Sequence, residues 1–117
     1  MANVTNEASG FIKQEDFPIE DCDPGITRQI LGHDPHLMMV RVFFKKGAIG
    51  YLHTHPHRQA SFVEKGSFEV EIDGAKKVLR AGDGYFIPPN VPHGATALED
   101  GILIDVFTPC REDFLGK

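Results

Sequence analysis

The chain has 117 residues, 41% of them hydrophobic and 25% charged, with a formal net charge of −5. That length suits one domain, and no apolar run approaches the roughly 20 residues needed to span a bilayer. The acidic balance, with Lys45-Lys46 and Lys76-Lys77 forming pairs rather than patches, argues against a nucleic-acid partner, which needs clustered Lys and Arg.

The amino-terminal stretch Met1-Ala2-Asn3-Val4-Thr5-Asn6-Glu7 lacks the basic flank and apolar core of a secretory signal. A cytoplasmic protein without a membrane partner is therefore expected. Cys22 and Cys110 are far apart and outside any CxxC pair, so free thiols are expected rather than a bridge. The segment before Ile26 reads as irregular, with Phe11-Ile12 a candidate extra strand.

From Ile26 onwards short β segments alternate with turn signals. Val40, Val42 and Phe44 alternate with Arg41, Phe43 and Lys45, the period of a half-buried strand. Lys46-Gly47 and Ile49-Gly50 read as breaks. Residues 61–64 form the next strand, Lys65-Gly66 a turn, and residues 67–72 a strand with clean alternation. Asp73-Gly74 signals a two-residue hairpin, because both central positions of a type I′ turn need positive φ. Residues 75–80, 85–87, 93–98 and 102–107 complete the strands, and the tail from Arg111 can make one helical turn. Strands at this spacing with no amphipathic helix give an all-β sandwich or barrel.

Three of the six histidines fall in His53-Thr54-His55-Pro56-His57. On a strand, residues i and i+2 share a face, so His53 and His55 can aim two imidazoles at one point. A metal ion is the usual reason to converge neutral imidazoles. Gln59 opens the following strand, and His93 follows a proline-rich turn that a barrel would return to the same mouth. An isolated HxH is weak evidence, since short motifs recur freely. His57 reads as a rim or surface residue, and His33 and His36 as ordinary surface or core histidines. Asp105 interrupts the apolar residues 102–107. Burying it without a partner is costly, and the strand pattern alone leaves open whether it faces in or out.

The two motifs together resemble the cupin family. Its first motif, G-x5-H-x-H-x3/4-E-x6-G, is matched by Gly47, His53, His55, Gln59 and Gly66. Its second, G-x5-P-x-G-x2-H-x3-N, is matched by Gly82, Pro88 and His93, with Asn90 and Ala97 replacing the last glycine and the asparagine. The resemblance implies a single cupin domain over residues 1–117, a jelly-roll barrel (double-stranded β-helix) with its core at about 26–109 and short terminal extensions. It also implies one divalent ion held by His53, His55, Gln59 and His93. Gln59 stands where the family usually has glutamate. An amide oxygen ligates without bringing charge, so four neutral ligands leave the ion its full double charge, which favours Lewis-acid work on an anion. Ni, Zn, Fe, Mn or Co all suit such ligands.

Asp105, Phe107 and Arg111 beside that ligand set resemble the KdgF-type cupins of pectin and alginate catabolism. Those proteins open and ketonise 4,5-unsaturated monouronates. The resemblance implies that Asp105 is the catalytic carboxylate, that Phe107 lines the site, and that Arg111 binds the carboxylate of a small sugar-acid substrate. It leaves open whether the uronate comes from pectin, alginate or another polymer. A metal-dependent dioxygenase and a non-catalytic sugar-binding or sensor cupin are the alternatives, and a homodimer is expected.

Overall fold

The structure, a computed structural model, describes residues 10–116; the amino-terminal stretch read above and Lys117 lie outside them. Ten strands are laid down in chain order: β1 (Ile19–Asp23), β2 (Ile26–Asp34), β3 (Leu37–Phe44), β4 (Ile49–His53), β5 (Arg58–Lys65), β6 (Ser67–Ile72), β7 (Ala75–Arg80), β8 (Gly84–Ile87), β9 (His93–Ala97) and β10 (Gly101–Thr108). They form a six-stranded sheet in the order β1-β2-β3-β10-β5-β8 and a four-stranded sheet in the order β4-β9-β6-β7. All the pairings are antiparallel. This is the jelly-roll arrangement that the sequence implies. No helix among the described residues is long and apolar enough to cross a membrane.

Alternation places the core. In β5 the residues Gln59, Ser61 and Val63 are buried while Ala60, Phe62 and Glu64 are exposed. The main apolar cluster packs Ile26, Phe44, Val63 and Leu103 of the larger sheet against Phe68, Val70, Ala95 and Ala97 of the smaller. Phe44 and Phe68 meet edge to face at 5.1 Å, a geometry worth about 0.5–1.5 kcal/mol beyond area burial. A second cluster of Met38, Val40, Phe107 and Cys110, with Phe114 and Leu115 against it, packs the carboxy-terminal tail onto the sheet.

Two sequence expectations are corrected. Phe11-Ile12 is not a strand; Phe11 is 86% exposed, and Ile12 lies against Gly32. The extra strand is β1, whose Glu20, Asp21 and Asp23 suit a sheet edge but hide it from a search for apolar alternation. Ile49-Gly50 does not break the chain but opens β4. The tail makes its short turn, a 3-10 segment at Glu112–Leu115. Cys22 and Cys110 form no disulfide bond.

The turns carry testable strain. Asp73 and Gly74 have φ of 50° and 87°, as a type I′ hairpin requires. Gly66 has φ of 84°, and a Cβ there would lie 2.6 Å from the Asp100 carbonyl oxygen and 2.8 Å from Gly101 Cα. At Gly74 a Cβ would meet nothing within 4 Å. Gly74→Ala should therefore cost about 1 kcal/mol from backbone strain alone. Gly66→Ala should cost about 2–4 kcal/mol, because rigid backbone must also shift. Urea unfolding of the two variants checks the order, and equal losses would contradict it.

Candidate metal centre

His53, at the end of β4, is paired directly across the sheet with His93, at the start of β9. Their rings are 4.3 Å apart between centroids, and His55 lies 4.8 Å from His93 and 5.5 Å from His53. One nitrogen from each ring lies within 4.8 Å of the others, a group that can hold a metal ion. The expectation that a strand face aligns His53 with His55 needs correction. His55 lies two residues past the end of β4, whose register against β9 slips between Gly50 and His53. Pro56 follows it and cannot extend a ladder. Local bonds aim His55 instead: its Nδ1 faces the His57 carbonyl at 3.0 Å, and its own carbonyl accepts the Asn90 N–H at 2.8 Å. Asn90 has φ of 64°, the left-handed region that asparagine tolerates better than most residues. That accounts for asparagine where the second motif has glycine.

Each imidazole has its Nδ1 beside a backbone carbonyl: His53 on Tyr51 at 2.8 Å, His55 on His57 at 3.0 Å, and His93 on Val91 at 2.8 Å. A carbonyl only accepts, so these partners place the proton on Nδ1 and leave Nε2 with a lone pair. The Nε2 atoms of His55 and His93 stand 3.0 and 3.1 Å from Gln59 Oε1. Gln59 Nε2 donates to Ser61 Oγ at 2.9 Å, so its oxygen is the end turned to the rings. Acceptors therefore face acceptors across about 3 Å with no hydrogen between them. A cation relieves that repulsion; protonating the rings would relieve it too, but burial pushes His55 down and His93 down to about 4. Arg111 adds to the effect at His55. The donor set fits a divalent metal, with carbonyls orienting the ligands from behind.

Below the histidines a cavity of about 400 Å³ runs into the barrel, lined among others by His53, Gln59, Tyr85, His93, Asp105, Phe107 and Arg111. Asp105 thus faces inward. It is partly buried and accepts a hydrogen bond from Ser61 Oγ at 2.6 Å. Burial pushes its carboxyl up to about 6, against smaller downward pulls from Ser61 and the Arg111 charge. Phe107 is buried and meets His55 edge to face at 5.7 Å. Arg111 is buried rather than splayed into solvent. Its guanidinium lies over Phe107 and Phe114 at 5.0 and 4.2 Å and holds Asp113 through Nε at 3.0 Å and one terminal nitrogen at 2.8 Å.

Other residues of the site went unnoticed in the sequence. Ser61 and Tyr85 lie opposite each other on β5 and β8, and Ser61 shares the inward parity of Gln59, a signal that could have found it. Arg28 lines the cavity with its guanidinium 3.9 Å from the Phe114 ring, and nothing local in the sequence points to it. His57 contributes its backbone carbonyl to His55; its own ring is half-buried, 5.4 Å from that of His55. His33 and His36 flank the β2–β3 hairpin and are not among the converging histidines.

The cupin domain family matches residues 40–107. The chain is 48% identical over 107 residues to the pectin degradation protein KdgF of Dickeya dadantii (strain 3937), covering 90% of this chain and 97% of that one. Among solved structures, an RmlC-like cupin from Shewanella frigidimarina NCIMB 400 superposes with a TM-score of 0.89 at 50% identity, covering 92% of this chain and 97% of that one. KdgF from Halomonas sp. superposes with a TM-score of 0.87 at 42% identity, covering 92% and 99%.

Two measurements follow from this geometry. Ni(II) at roughly a hundred times its Kd should stabilise the metal-stripped protein by about 2.7 kcal/mol. The double variant His53→Ala, His55→Ala should lose that stabilisation, and an undiminished effect would remove the site. The second concerns Asp105. Its folded carboxyl is raised above the unfolded one, so ionising it costs stability above about pH 6, and the cost vanishes as pH falls below the unfolded value near 3.8. Asp105→Asn should therefore stabilise the metal-free protein by about 1–3 kcal/mol at pH 8. The gain should fade by pH 4 in unfolding measurements across that range.

Proposed function

The chain belongs to the cupin family and to the KdgF group within it, and on that premise we propose that it converts 4,5-unsaturated monouronates into linear 4-deoxy-5-keto uronates. The observation that carries the reading is Asp105, a carboxylate of raised proton affinity inside the cavity that His53, Gln59, His93 and Arg111 also line. A substrate acid entering this cavity meets positive charge, and a base lies below it. The name of the Dickeya relative supports pectin as the source of the uronate.

In such a substrate the ring oxygen belongs to an enol ether conjugated to the carboxylate. Asp105 takes the proton of the anomeric hydroxyl. The bond between C1 and the ring oxygen then breaks as the C1 aldehyde forms, and the oxygen stays on C5 as an enolate. Asp105 returns a proton to C4, and C5 becomes a ketone, with no atom gained or lost. A carboxyl near 6 is ionised at neutral pH yet still basic enough to accept and return a proton. Ser61 holds one Asp105 oxygen, leaving the other for substrate.

His53, His55, Gln59 and His93 would hold the divalent ion, with Gln59 giving an uncharged oxygen. When bound, that ion supplies positive charge beside the oxygen where the enolate develops. Arg111 binds the substrate carboxylate, either through its remaining N–H groups or by exchanging Asp113 for it. Phe107 forms the apolar wall against the sugar. These residues all come from one chain, so the reading does not depend on the expected homodimer.

Loss of the conjugated-alkene ultraviolet absorbance of an unsaturated monouronate, without oxygen uptake, tests the reaction. Oxygen consumption coupled to substrate loss would favour a dioxygenase. Asp105→Asn should keep fold and metal while turnover falls by about two to four orders of magnitude. Arg111→Ala should instead raise KM roughly ten- to a hundredfold, through loss of a charge-assisted contact. Undiminished turnover by metal-loaded Asp105→Asn would remove the mechanism.

A further inference from the structure

Ser61 is buried on β5, with Asp105 opposite it on β10 and Tyr85 opposite it on β8. Its hydroxyl offers one hydrogen and two lone pairs. The hydrogen goes to Asp105 Oδ1 at 2.6 Å, and one lone pair accepts Gln59 Nε2–H at 2.9 Å. The only hydrogen is then committed, and both donors in the chain of bonds point toward Asp105.

We propose that Ser61 is a positioning residue that fixes which end of the Gln59 amide faces the three histidines. The two ends of an amide differ in kind but hardly in shape, so packing alone does not choose between them. With Nε2 held by Ser61, Oε1 faces His55 and His93. The reverse orientation would set the amide oxygen against a serine oxygen whose hydrogen belongs to Asp105, and would let the amide hydrogens bond to the imidazole lone pairs that an ion needs.

The same arithmetic explains why glutamine, not glutamate, stands at position 59. A carboxylate there would compete with Asp105 for the single serine hydrogen. Gln59, Ser61 and Asp105 therefore form a matched set. The inference rests on the reading of Gln59 as a metal ligand, but it does not need any particular substrate.

The test is Ni(II) titration of metal-stripped protein by calorimetry, with no substrate present. Ser61→Ala in the parent should weaken Ni(II) binding roughly ten- to a hundredfold, the usual effect of losing a ligand's supporting partner. Ser61→Thr, which keeps the hydroxyl, should restore binding to within about threefold of the parent. The discriminating comparison is the Gln59→Glu background. A carboxylate has two equivalent oxygens and no orientation to fix, so Ser61→Ala should cost less than about threefold there. A void or a general loss of packing would cost the same in both backgrounds. Equal losses, or parent affinity in Ser61→Ala, would overturn the proposal. Ser61→Cys, close in size with a weak donor, takes the same comparison if Ser61→Ala does not fold. A protein that shows this pattern but does not turn over uronates would lose the proposed reaction and keep the role of Ser61. Active protein indifferent to Ser61→Ala would do the reverse.

Discussion

Three imidazole Nδ1–H groups committed to backbone carbonyls are the constraint on which the mouth of the barrel depends. Each bond turns a lone pair inward, and with the Gln59 oxygen it leaves converging acceptors that repel until a cation sits among them. The carbonyls belong to Tyr51, in the stretch of β4 where the register against β9 slips, and to His57 and Val91, shortly before β5 and β9 begin. The site is built where regular pairing stops, because only there are backbone acceptors spare.

Beneath the histidines the barrel is layered by strand register. Met38, Phe107, Gln59 and Ile87 form one row across β3, β10, β5 and β8, and Val40, Asp105, Ser61 and Tyr85 form the next. Leu103 and Val63 close the interior below them. A polar row between apolar ones is costly unless its members satisfy one another. Ser61 meets that condition by bonding to Gln59 and Asp105 at once. The remaining cost falls on Asp105, whose raised proton affinity is the stability given up for a base inside the cavity.

The carboxy-terminal tail closes one side. Phe114 carries the Arg28 guanidinium at 3.9 Å and that of Arg111 at 4.2 Å, and packs on Phe107 at 5.6 Å. Two cations thus border the cavity, and each is already paired, Arg28 with Glu20 and Arg111 with Asp113. A carboxylate-bearing ligand would meet arginines that are oriented by aromatic rings and by existing ion pairs, so little side-chain freedom would remain to be lost on binding.

The sequence by itself determined β3 and the strands from β5 onwards, the Asp73-Gly74 hairpin, and the four residues at the mouth. Period-two burial and positive-φ turn residues are local physics, and the HxH spacing with Gln59 and His93 is a local pattern repeated at two places. Tertiary structure alone decided the rest. The charged edge strand β1 has no apolar alternation to betray it, since its place is set by pairing with β2. His55 is aimed by bonds to His57 and Asn90 rather than by the pleat. The inward face of Asp105 and the burial of Arg111 depend on strands and rings distant in the chain. Above all, the bond from Ser61 to Asp105 joins residues 44 positions apart, and no local periodicity specifies which hydroxyl will meet which carboxylate across two strands.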